Sequence, residues 1–224
     1  MSVSMLFSAF PAAGADDEAA LLAFKVAAVG GKSGVLASWN RSTDGGYCSW
    51  EGVRCRGRRV VALSLPSYGL TGVLSPAVAN LSSLRTLNLS SNALSGNIPA
   101  SLGHLSRLHN LILSHNAFSG PIPANLSSCT SLMVMNLRWN QLTGRLPSEF
   151  GDKLTRLKFL DLQSNNISGE IPASLANLSS LTVLDLSINL LKGTIPRNLG
   201  VLKDLRGICS KVVFLPILVA CSLA

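Results

Sequence analysis

The strongest constraint on the fold of this chain is a phrase that returns about every 24 residues. Six leucines begin matching segments at intervals of 24, 24, 25, 24 and 24 residues: Leu84, Leu108, Leu132, Leu157, Leu181 and Leu205. The first five segments follow L-x-x-L-x-L-x-x-N-x-L-x-G-x-I-P or a close variant of it. Such a period is typical of chains that stack short, similar turns. We therefore expect an elongated repeat architecture and not one central core.

Composition agrees with a stack of turns and argues against some partners. Aromatic residues make up only 5% of the chain and charged residues 13%, which is unusual for a globule with a single core. The formal net charge is +8, but the basic residues are scattered except for Arg54, Arg56, Arg58 and Arg59. Because no nucleic-acid-reading motif accompanies this charge, the sequence predicts no nucleic-acid partner.

Each recurring position has a physical reason. Leu84, Leu87 and Leu89 alternate as a short strand does, so their side chains would stack inward with those of the next turn. Each buried leucine contributes about 1.5–3 kcal/mol. An asparagine follows where the chain must turn away from the strand, and its amide can pair with backbone groups that the turn leaves open. The sequence therefore predicts a structural ladder of Asn92, Asn116, Asn140, Asn165 and Asn189.

The period and the L-x-G-x-I-P continuation resemble the plant-specific class of leucine-rich repeats. These repeats are found in the extracellular domains of plant receptor-like kinases and receptor-like proteins. The resemblance implies an α/β fold, a right-handed horseshoe-shaped solenoid with short parallel strands on the concave side and 3-10 or irregular segments on the convex side. We expect about six turns over residues 60–208, the first of them a weaker copy that begins at Val60.

The segment before the repeats resembles the helical N-terminal cap of the same family, and we assign it to residues 16–59. An acidic start at Asp16, Asp17 and Glu18 precedes an apolar helix, and a Trp39-Asn40 pair and a C-x6-C motif follow. A cap is also needed physically, because the first turn of a solenoid has an apolar edge with no neighbour. The resemblance implies a disulfide between Cys48 and Cys55, which would clamp this cover.

The N-terminus suggests export. Residues 1–15 are apolar and end in Ala13-Gly14-Ala15, a small-x-small pattern that a signal peptidase can cut before Asp16, although no basic residue precedes the apolar stretch. A buried N-terminal segment is the alternative. Six N-x-S sequons support secretion to the apoplast: Asn40, Asn80, Asn88, Asn125, Asn166 and Asn177.

The last segment departs from the repeat pattern after Ile208, so the chain looks truncated when compared with receptors of this class. The tail, residues 209–224, is apolar, but its run from Val212 to Ala224 is interrupted by Pro216 and is shorter than the roughly 20 residues that a spanning helix needs. We therefore predict no membrane span here. In a longer receptor the repeats would lie at the plasma membrane surface.

No arrangement of residues predicts catalysis, a cofactor or a metal site. The histidines, His104, His109 and His115, fall at different repeat phases, and neither a phosphate loop nor a kinase signature occurs. Cys129 is expected to be a buried free thiol that packs as a small hydrophobe. The state of Cys209 and Cys221 stays open.

The outward positions of the strands are the candidate binding surface. The third, fifth, seventh and eighth residues of each repeat vary while the frame is constant. Because aromatic and arginine side chains are enriched in binding hot spots, the sequence predicts a ligand patch of Arg138, Trp139, Phe159, Asp161 and Asp185. A glycan on Asn88 would obstruct the first strand and leave the third to fifth repeats open.

The resemblance implies a receptor-like, protein-binding module in plant signalling or defence. Its partner would be a peptide, a microbial ligand or a receptor-kinase co-receptor. One alternative is a secreted inhibitor of microbial cell-wall hydrolases that uses the same concave surface. Another is a truncated receptor product without function, in which exposed apolar surface at the open end would cause aggregation.

Overall fold

The computed structural model describes residues 15–31, 34–40, 45–201 and 206–209. Residues 1–14 of the proposed signal peptide, Leu205 and residues 210–224 of the proposed tail lie outside these residues. A helix, α1, spans Ala15–Ala28. A short second helix, α2, spans Glu149–Lys153. The remaining helical segments are 3-10 turns at Gly46–Ser49, Pro76–Asn80, Ala100–His104, Ala124–Ser128, Ala173–Asn177 and Arg197–Val201.

One long sheet runs the length of the described chain and contains eight strands. In spatial order these are β1 (Val53–Arg56), β2 (Arg59–Ser64), β3 (Thr86–Asn88), β5 (Asn110–Ile112), β7 (Val134–Asn136), β9 (Phe159–Asp161), β11 (Val183–Asp185) and β13 (Arg206–Cys209). From β2 onward every pairing is parallel. The apolar residue at the fourth position of the first five repeats lies opposite its equivalent, as Leu87 does opposite Leu111 and Leu111 opposite Met135. This is the predicted solenoid, with similar rungs stacked in register from β2 to β11 and a register shift between β11 and β13.

A second set of strands on another side of each turn was not predicted. β4 (Ser95–Asn97), β6 (Ala117–Pro121) and β8 (Gln141–Thr143) form one parallel sheet. β10 (Ser168–Glu170) and β12 (Leu190–Lys192) form another. Three of these strands, β4, β6 and β10, contain the glycine of the L-x-G-x-I-P phrase, and Gly96, Gly120 and Gly169 have positive φ angles of 75°, 71° and 84°. The phrase therefore builds a paired strand as well as a turn.

The core is a continuous column of leucines inside the turns. Leu84, Leu87 and Leu89 have no exposed surface, and the equivalent residues of the following repeats are also buried. The same column includes Cys129, whose side chain takes the place of a leucine on the convex side. Because every rung adds a similar set of apolar side chains, the hydrophobic stabilisation accumulates along the stack.

The one repeat of 25 residues differs from its neighbours on the convex side. In the repeats on either side of it a five-residue 3-10 turn follows the proline, as Ala100–His104 follows Pro99 and precedes buried Leu105. The segment after Pro147 has one residue more, and it forms the α-helix α2. An α-helix advances about 1.5 Å per residue and a 3-10 helix about 2.0 Å, so the wider helix holds the additional residue over the same distance.

The N-terminal cap covers the first turn by direct backbone contact. The amides of Thr71 and Gly72 donate to the carbonyl oxygen of Ala28 at 3.1 and 2.9 Å, and Val73 donates to Ala27 at 2.9 Å. These bonds satisfy carbonyl groups that the end of α1 would otherwise leave open. A Cβ on Gly72 would overlap the carbonyl oxygen of Ala27. The glycine therefore permits the close docking of the helix.

Two further devices hold the cap. Asp17 is fully buried, and its carboxylate accepts hydrogen bonds from the amide of Val60 at 2.8 Å and from Nε of Arg59 at 3.1 Å. The predicted disulfide joins Cys48 to Cys55, with 5.6 Å between their Cα atoms. Cys55 lies in β1, which pairs antiparallel with β2 to form a hairpin. The repeat pattern did not predict this hairpin.

Each predicted ladder asparagine connects its own rung to the preceding one. Asn140 donates from Nδ2 to the carbonyl oxygens of Leu113 and Leu137 at 3.1 and 2.9 Å, and its Oδ1 accepts from the amide of Phe118 at 3.0 Å. The other members make the same three kinds of bond: Asn92, Asn116, Asn165 and Asn189. One side chain thus satisfies three backbone groups of a sharp turn.

The ladder gives a direct test of stability. We expect Asn140→Ala to lower the free energy of unfolding by about 3 kcal/mol, because it leaves the Phe118 amide and two carbonyl groups without partners inside the stack. Gln141→Ala removes an exposed amide from the next residue and should change it by less than about 0.5 kcal/mol. Urea unfolding followed by circular dichroism measures both. Equal effects of the two substitutions would contradict the role assigned to the ladder.

Candidate functional site

The concave sheet presents two rows of side chains across the third, fourth and fifth repeats. Val134, Phe159 and Val183 lie opposite one another in register and form an apolar row. Two residues further along each strand, Asp161 and Asp185 are direct neighbours in a polar row. The patch that was predicted from sequence thus contains residues that the sheet brings together.

The most exposed member of the patch is Trp139. Its residue is 51% exposed, and its indole ring stacks on the imidazole of His115 with ring centres 5.8 Å apart and 10° between the planes. His115 occupies the equivalent position of the preceding repeat. The stack presents an apolar, flat surface at the end of the strands.

Trp139 also belongs to a column of residues in the left-handed backbone conformation. The residue before each ladder asparagine has a φ angle near +55°, with Trp139 at 55° and Ile188 at 54°. Residues other than glycine seldom adopt this conformation, and for a β-branched residue such as Ile188 it is unfavourable. Ile188 is nevertheless 57% exposed, so burial of its side chain does not offset this cost.

Arg138 and Asp161 form the charged part of the patch. Nε of Arg138 lies 4.0 Å from Oδ2 of Asp161, and the arginine side chain is 42% exposed. Asp161 was expected to face solvent, but only 5% of the residue is exposed. Oδ1 of Asp161 accepts a hydrogen bond from the amide of Gln163 at 3.1 Å, which holds the carboxylate against the sheet.

The same local turn occurs in several other repeats. Oδ1 of Asp185 accepts from the amide and the hydroxyl of Ser187 at 2.9 and 2.6 Å. Asn88 accepts from the amide and the hydroxyl of Ser90 at 3.1 and 2.8 Å. The fifth position of these repeats therefore has a structural role in addition to any contact with a ligand. The sequence signal for this turn is an aspartate or asparagine at the fifth position of the repeat.

Burial dominates the electrostatics of Asp161. It raises the pKa of this carboxyl group, and the negative charge of Asp185 raises it further. The hydrogen bond from Gln163 and the positive charges of Arg138 and His115 act in the opposite direction without cancelling the shift. Burial thus makes the ionised form of Asp161 unfavourable in the free protein. A positively charged ligand group beside it would reduce this cost.

The predicted glycosylation sites differ in accessibility. Asn88 is half-buried on the concave sheet, and its side chain is bonded to Ser90. The other five sequon asparagines are exposed: Asn40, Asn80, Asn125, Asn166 and Asn177. Asn80, Asn125 and Asn177 lie in 3-10 turns, so glycans there would leave the strands of the third to fifth repeats uncovered, whereas Asn166 directly follows ladder residue Asn165 at the end of the strands.

The side chains that can react or bind metals do not form a cluster in the described ranges. There is no group of three or more histidine, cysteine, aspartate or glutamate side chains there that could hold a metal ion. Cys129 is buried, and burial raises the pKa of its thiol to about 11. A thiol with this pKa is a poor nucleophile at neutral pH. None of the described helices is long and apolar enough to cross a membrane.

Two exposed apolar residues near the patch were missed by the sequence analysis. Ile188 and Leu190 are each 57% exposed and lie at the same end of the strands as Trp139. Ile188 was recognised only as an outward-facing position, and Leu190 follows the fifth ladder asparagine directly. Together with Trp139 they make this edge of the concave surface apolar.

The raised pKa of Asp161 predicts a pH effect on stability. Since the folded pKa lies above the ordinary value of 3.8, this group favours folding below pH 3.8 and loses that contribution as the pH rises through the folded pKa. Asp161→Asn keeps the hydrogen bond from Gln163 and cannot ionise. We therefore expect the melting temperature of this variant, relative to the wild type, to increase between about pH 3 and pH 7.

Melting curves of both proteins across this pH range measure the effect, and the other carboxyl groups cancel because both proteins contain them. A difference between the two proteins that stays constant with pH, or that decreases, would contradict the burial argument.

The chain matches two families of known proteins. The family described as "Leucine rich repeat N-terminal domain" matches residues 15–56, and the family "Leucine rich repeat" matches residues 58–118 and 130–191. Among curated relatives, the LRR receptor-like serine/threonine-protein kinase EFR of Arabidopsis thaliana is 49% identical over 75 residues. That alignment covers 32% of this chain and 7% of the kinase. The chain thus corresponds to a small part of that relative.

Solved structures show the same architecture over most of the chain. The LRR ectodomain of GASSHO1/SCHENGEN3 from Arabidopsis thaliana, crystallised with CASPARIAN STRIP INTEGRITY FACTOR 2, has a TM-score of 0.72 and 35% identity. It matches 86% of this chain and 26% of that one. A chain of the Arabidopsis BIR3–SERK2 complex has a TM-score of 0.69 and 33% identity, over 80% of this chain and 96% of that one. The chain belongs to the leucine-rich-repeat family, in the form found in the ectodomains of plant receptor kinases.

Proposed function

We propose that this chain is an extracellular recognition module, in which the concave patch of the third to fifth repeats binds a peptide or protein ligand or the ectodomain of a co-receptor. The patch consists of Arg138, Trp139, Phe159, Asp161 and Asp185. Recognition, and not catalysis, is its proposed role. The function would therefore depend on the affinity and the selectivity of this surface.

The exposed, stacked indole of Trp139 is the observation that carries this proposal. A half-exposed tryptophan in the left-handed conformation costs about 1–2 kcal/mol in backbone energy and gains little from burial. Tryptophan is among the residues most enriched in binding hot spots, where a partner covers the ring and removes it from water. Such a partner would supply the burial that the free protein lacks.

The surroundings of Trp139 support a polar contact beside the apolar one. Arg138 is part-exposed, and its buried Nε has no hydrogen-bond partner among the described residues. Asp161 and Asp185 place two carboxylates in register on the same face. A ligand with both apolar and charged groups would match this arrangement better than a purely apolar one.

The comparisons support this class of partner. GASSHO1/SCHENGEN3 was crystallised with CASPARIAN STRIP INTEGRITY FACTOR 2, and BIR3 with SERK2. In each of these two similar structures a second protein component is bound. The exposed sequons and the disulfide of the cap agree with an extracellular location, where disulfides persist.

A binding assay with two kinds of probe tests the proposal. The secreted protein is immobilised and exposed to the purified SERK2 ectodomain and to a library of secreted plant peptides, with binding followed by surface plasmon resonance. We expect at least one probe to bind, and Trp139→Ala to weaken that binding by about tenfold or more. Thr86→Ala alters the same sheet at the first strand of the repeats and should leave the affinity within about twofold.

Failure of every probe to bind, or equal binding by the Trp139 and Thr86 variants, would contradict the proposal. The same protein is also assayed against microbial polygalacturonases. Inhibition of such an enzyme that depends on Trp139, without binding to either probe, would assign the concave surface to hydrolase inhibition instead.

A further inference from the structure

A row of basic side chains lies at the edge of the concave sheet where its strands begin. It comprises Arg85, Arg107, His109, Arg156 and Lys158, which we call the cation strip. This edge is at the opposite end of the strands from Trp139, which follows the end of β7. The cation strip is therefore separate from the concave patch proposed above.

Backbone hydrogen bonds align the strip along the stack. The amide of His109 donates to the carbonyl oxygen of Arg85 at 2.8 Å, and Met133 donates to His109 at 2.8 Å. The amide of Lys158 then donates to Met133 at 2.9 Å. These residues occupy successive rungs, about 4.8 Å apart. Arg85 and Lys158 are thus three rungs, or about 14 Å, apart along the solenoid axis.

The two remaining arginines lie beside this column. Arg107 precedes His109 by two residues, and Arg156 precedes Lys158 by two, with a fully buried leucine between the members of each pair. Both arginines lie in the turn that leads into the strand, and both are exposed. Each of these two rungs therefore has two basic residues at its start.

The four Arg and Lys side chains of the strip are not neutralised within the described part of the molecule. All four are exposed, and they form neither an ion pair nor a side-chain hydrogen bond with a described residue. By contrast, Arg59, at the position of the first turn that is equivalent to Arg107, forms an ion pair with Asp17, with 2.9 Å between Nη2 and Oδ1. The strip thus has positive charge available for a partner.

The sequence around the strip excludes acidic residues. Five equivalent segments begin two residues before the first leucine of each repeat and end two residues after it, and none of them contains aspartate or glutamate: 82–86, 106–110, 130–134, 155–159 and 179–183. The hairpin turn at Arg56 and Arg58 continues the positive edge toward the cap, since it lies at the start of β2. Positive charge therefore extends over several rungs, with no acidic residue within these five segments.

We propose that the cation strip binds a linear acidic polysaccharide, a chain of uronate sugars that runs across the strands along the solenoid axis. Such a polymer bears one carboxylate per sugar, and each sugar advances the chain by about one strand spacing. Carboxylates on one side of such an extended polymer recur about every second sugar. The rungs of Arg107 and Arg156 are likewise two rungs apart, since the Met133 rung between them has no basic residue. An extended acidic peptide fits less well, because side chains on one side of it recur only every second residue, about 6.6 Å apart.

Binding of this kind has a specific salt signature. Neutralising several positive side chains with a polyanion releases the counterions of the polymer, so the affinity falls steeply as salt increases. The rungs are fixed by the backbone, so little order has to be gained on binding. The strip would anchor the protein to an acidic matrix while the concave patch stays accessible.

Polygalacturonate is the probe for the test, with neutral dextran as the uncharged control. We expect the wild-type protein to bind polygalacturonate at low salt and to lose most of this binding above about 0.15 M salt. The triple variant Arg107→Gln, Arg156→Gln, Lys158→Gln should bind about tenfold more weakly and show a smaller salt dependence. These side chains are exposed, so the melting temperature should stay within about 2 °C of the wild type.

A matched variant separates the strip from net charge. Arg145→Gln, Lys192→Gln, Arg197→Gln removes the same charge from exposed residues outside the concave sheet. It should keep the affinity for polygalacturonate within about twofold. Equal weakening by both triple variants, absence of binding at low salt, or equal affinity for double-stranded DNA or a polyglutamate peptide would overturn the proposal. If the Arg107, Arg156, Lys158 variant loses polygalacturonate binding but still binds the ligand of the concave patch as the wild type does, the two surfaces act independently.

Discussion

The structure depends on how each turn satisfies the backbone groups that it exposes to the interior. A chain that reverses direction every few residues around an apolar core leaves amide and carbonyl groups without partners, and each such buried group costs about 1–3 kcal/mol. The ladder asparagines meet this requirement, as Asn116 does with bonds to Leu89, Leu94 and Leu113. Two of these partners, Leu89 and Leu94, belong to the preceding rung. The hydrogen bonds that satisfy the backbone groups of one turn therefore also fix its distance from the neighbouring rung.

Function can vary because the frame is so fully determined. The leucines and asparagines fill the positions that the stack requires, and the side chains between them are free to differ. Three surfaces with different chemistry result on one sheet: a basic edge at Arg107 and Lys158, a central row with Asp161 and Asp185, and an apolar edge at Trp139 and Ile188. A partner can therefore be recognised by its position across the strands as well as by its position along the stack.

The sequence predicted the parts of the structure that repeat and missed those that depend on a single local event. The period placed the strands and the ladder, because leucine spacing and one asparagine per turn determine both. The extra residue before Leu154 gave no sign that it would convert a 3-10 turn into α2. The burial of Asp161 was also missed, because alternation along the strand places this residue outward and does not predict its contacts with the sheet, such as the hydrogen bond from the amide of Gln163.

The candidate site was predicted as a set of positions and not as an arrangement. Outward positions of the repeat identified Arg138, Trp139 and Phe159, but the stacking of Trp139 on His115 requires knowledge of the side-chain directions. The left-handed backbone before each ladder asparagine has a weak signal in sequence, since serine, histidine, tryptophan and isoleucine all occur there.

Hydrogen exchange of single backbone amides tests the ladder most directly. The amides of Phe118 and Leu142 donate to Oδ1 of Asn140 and Asn165. If the ladder locks the rungs together, these two amides will exchange as slowly as the amide of Leu113 in the central sheet, through global unfolding only. Exchange as fast as that of amides in exposed surface turns would contradict the account.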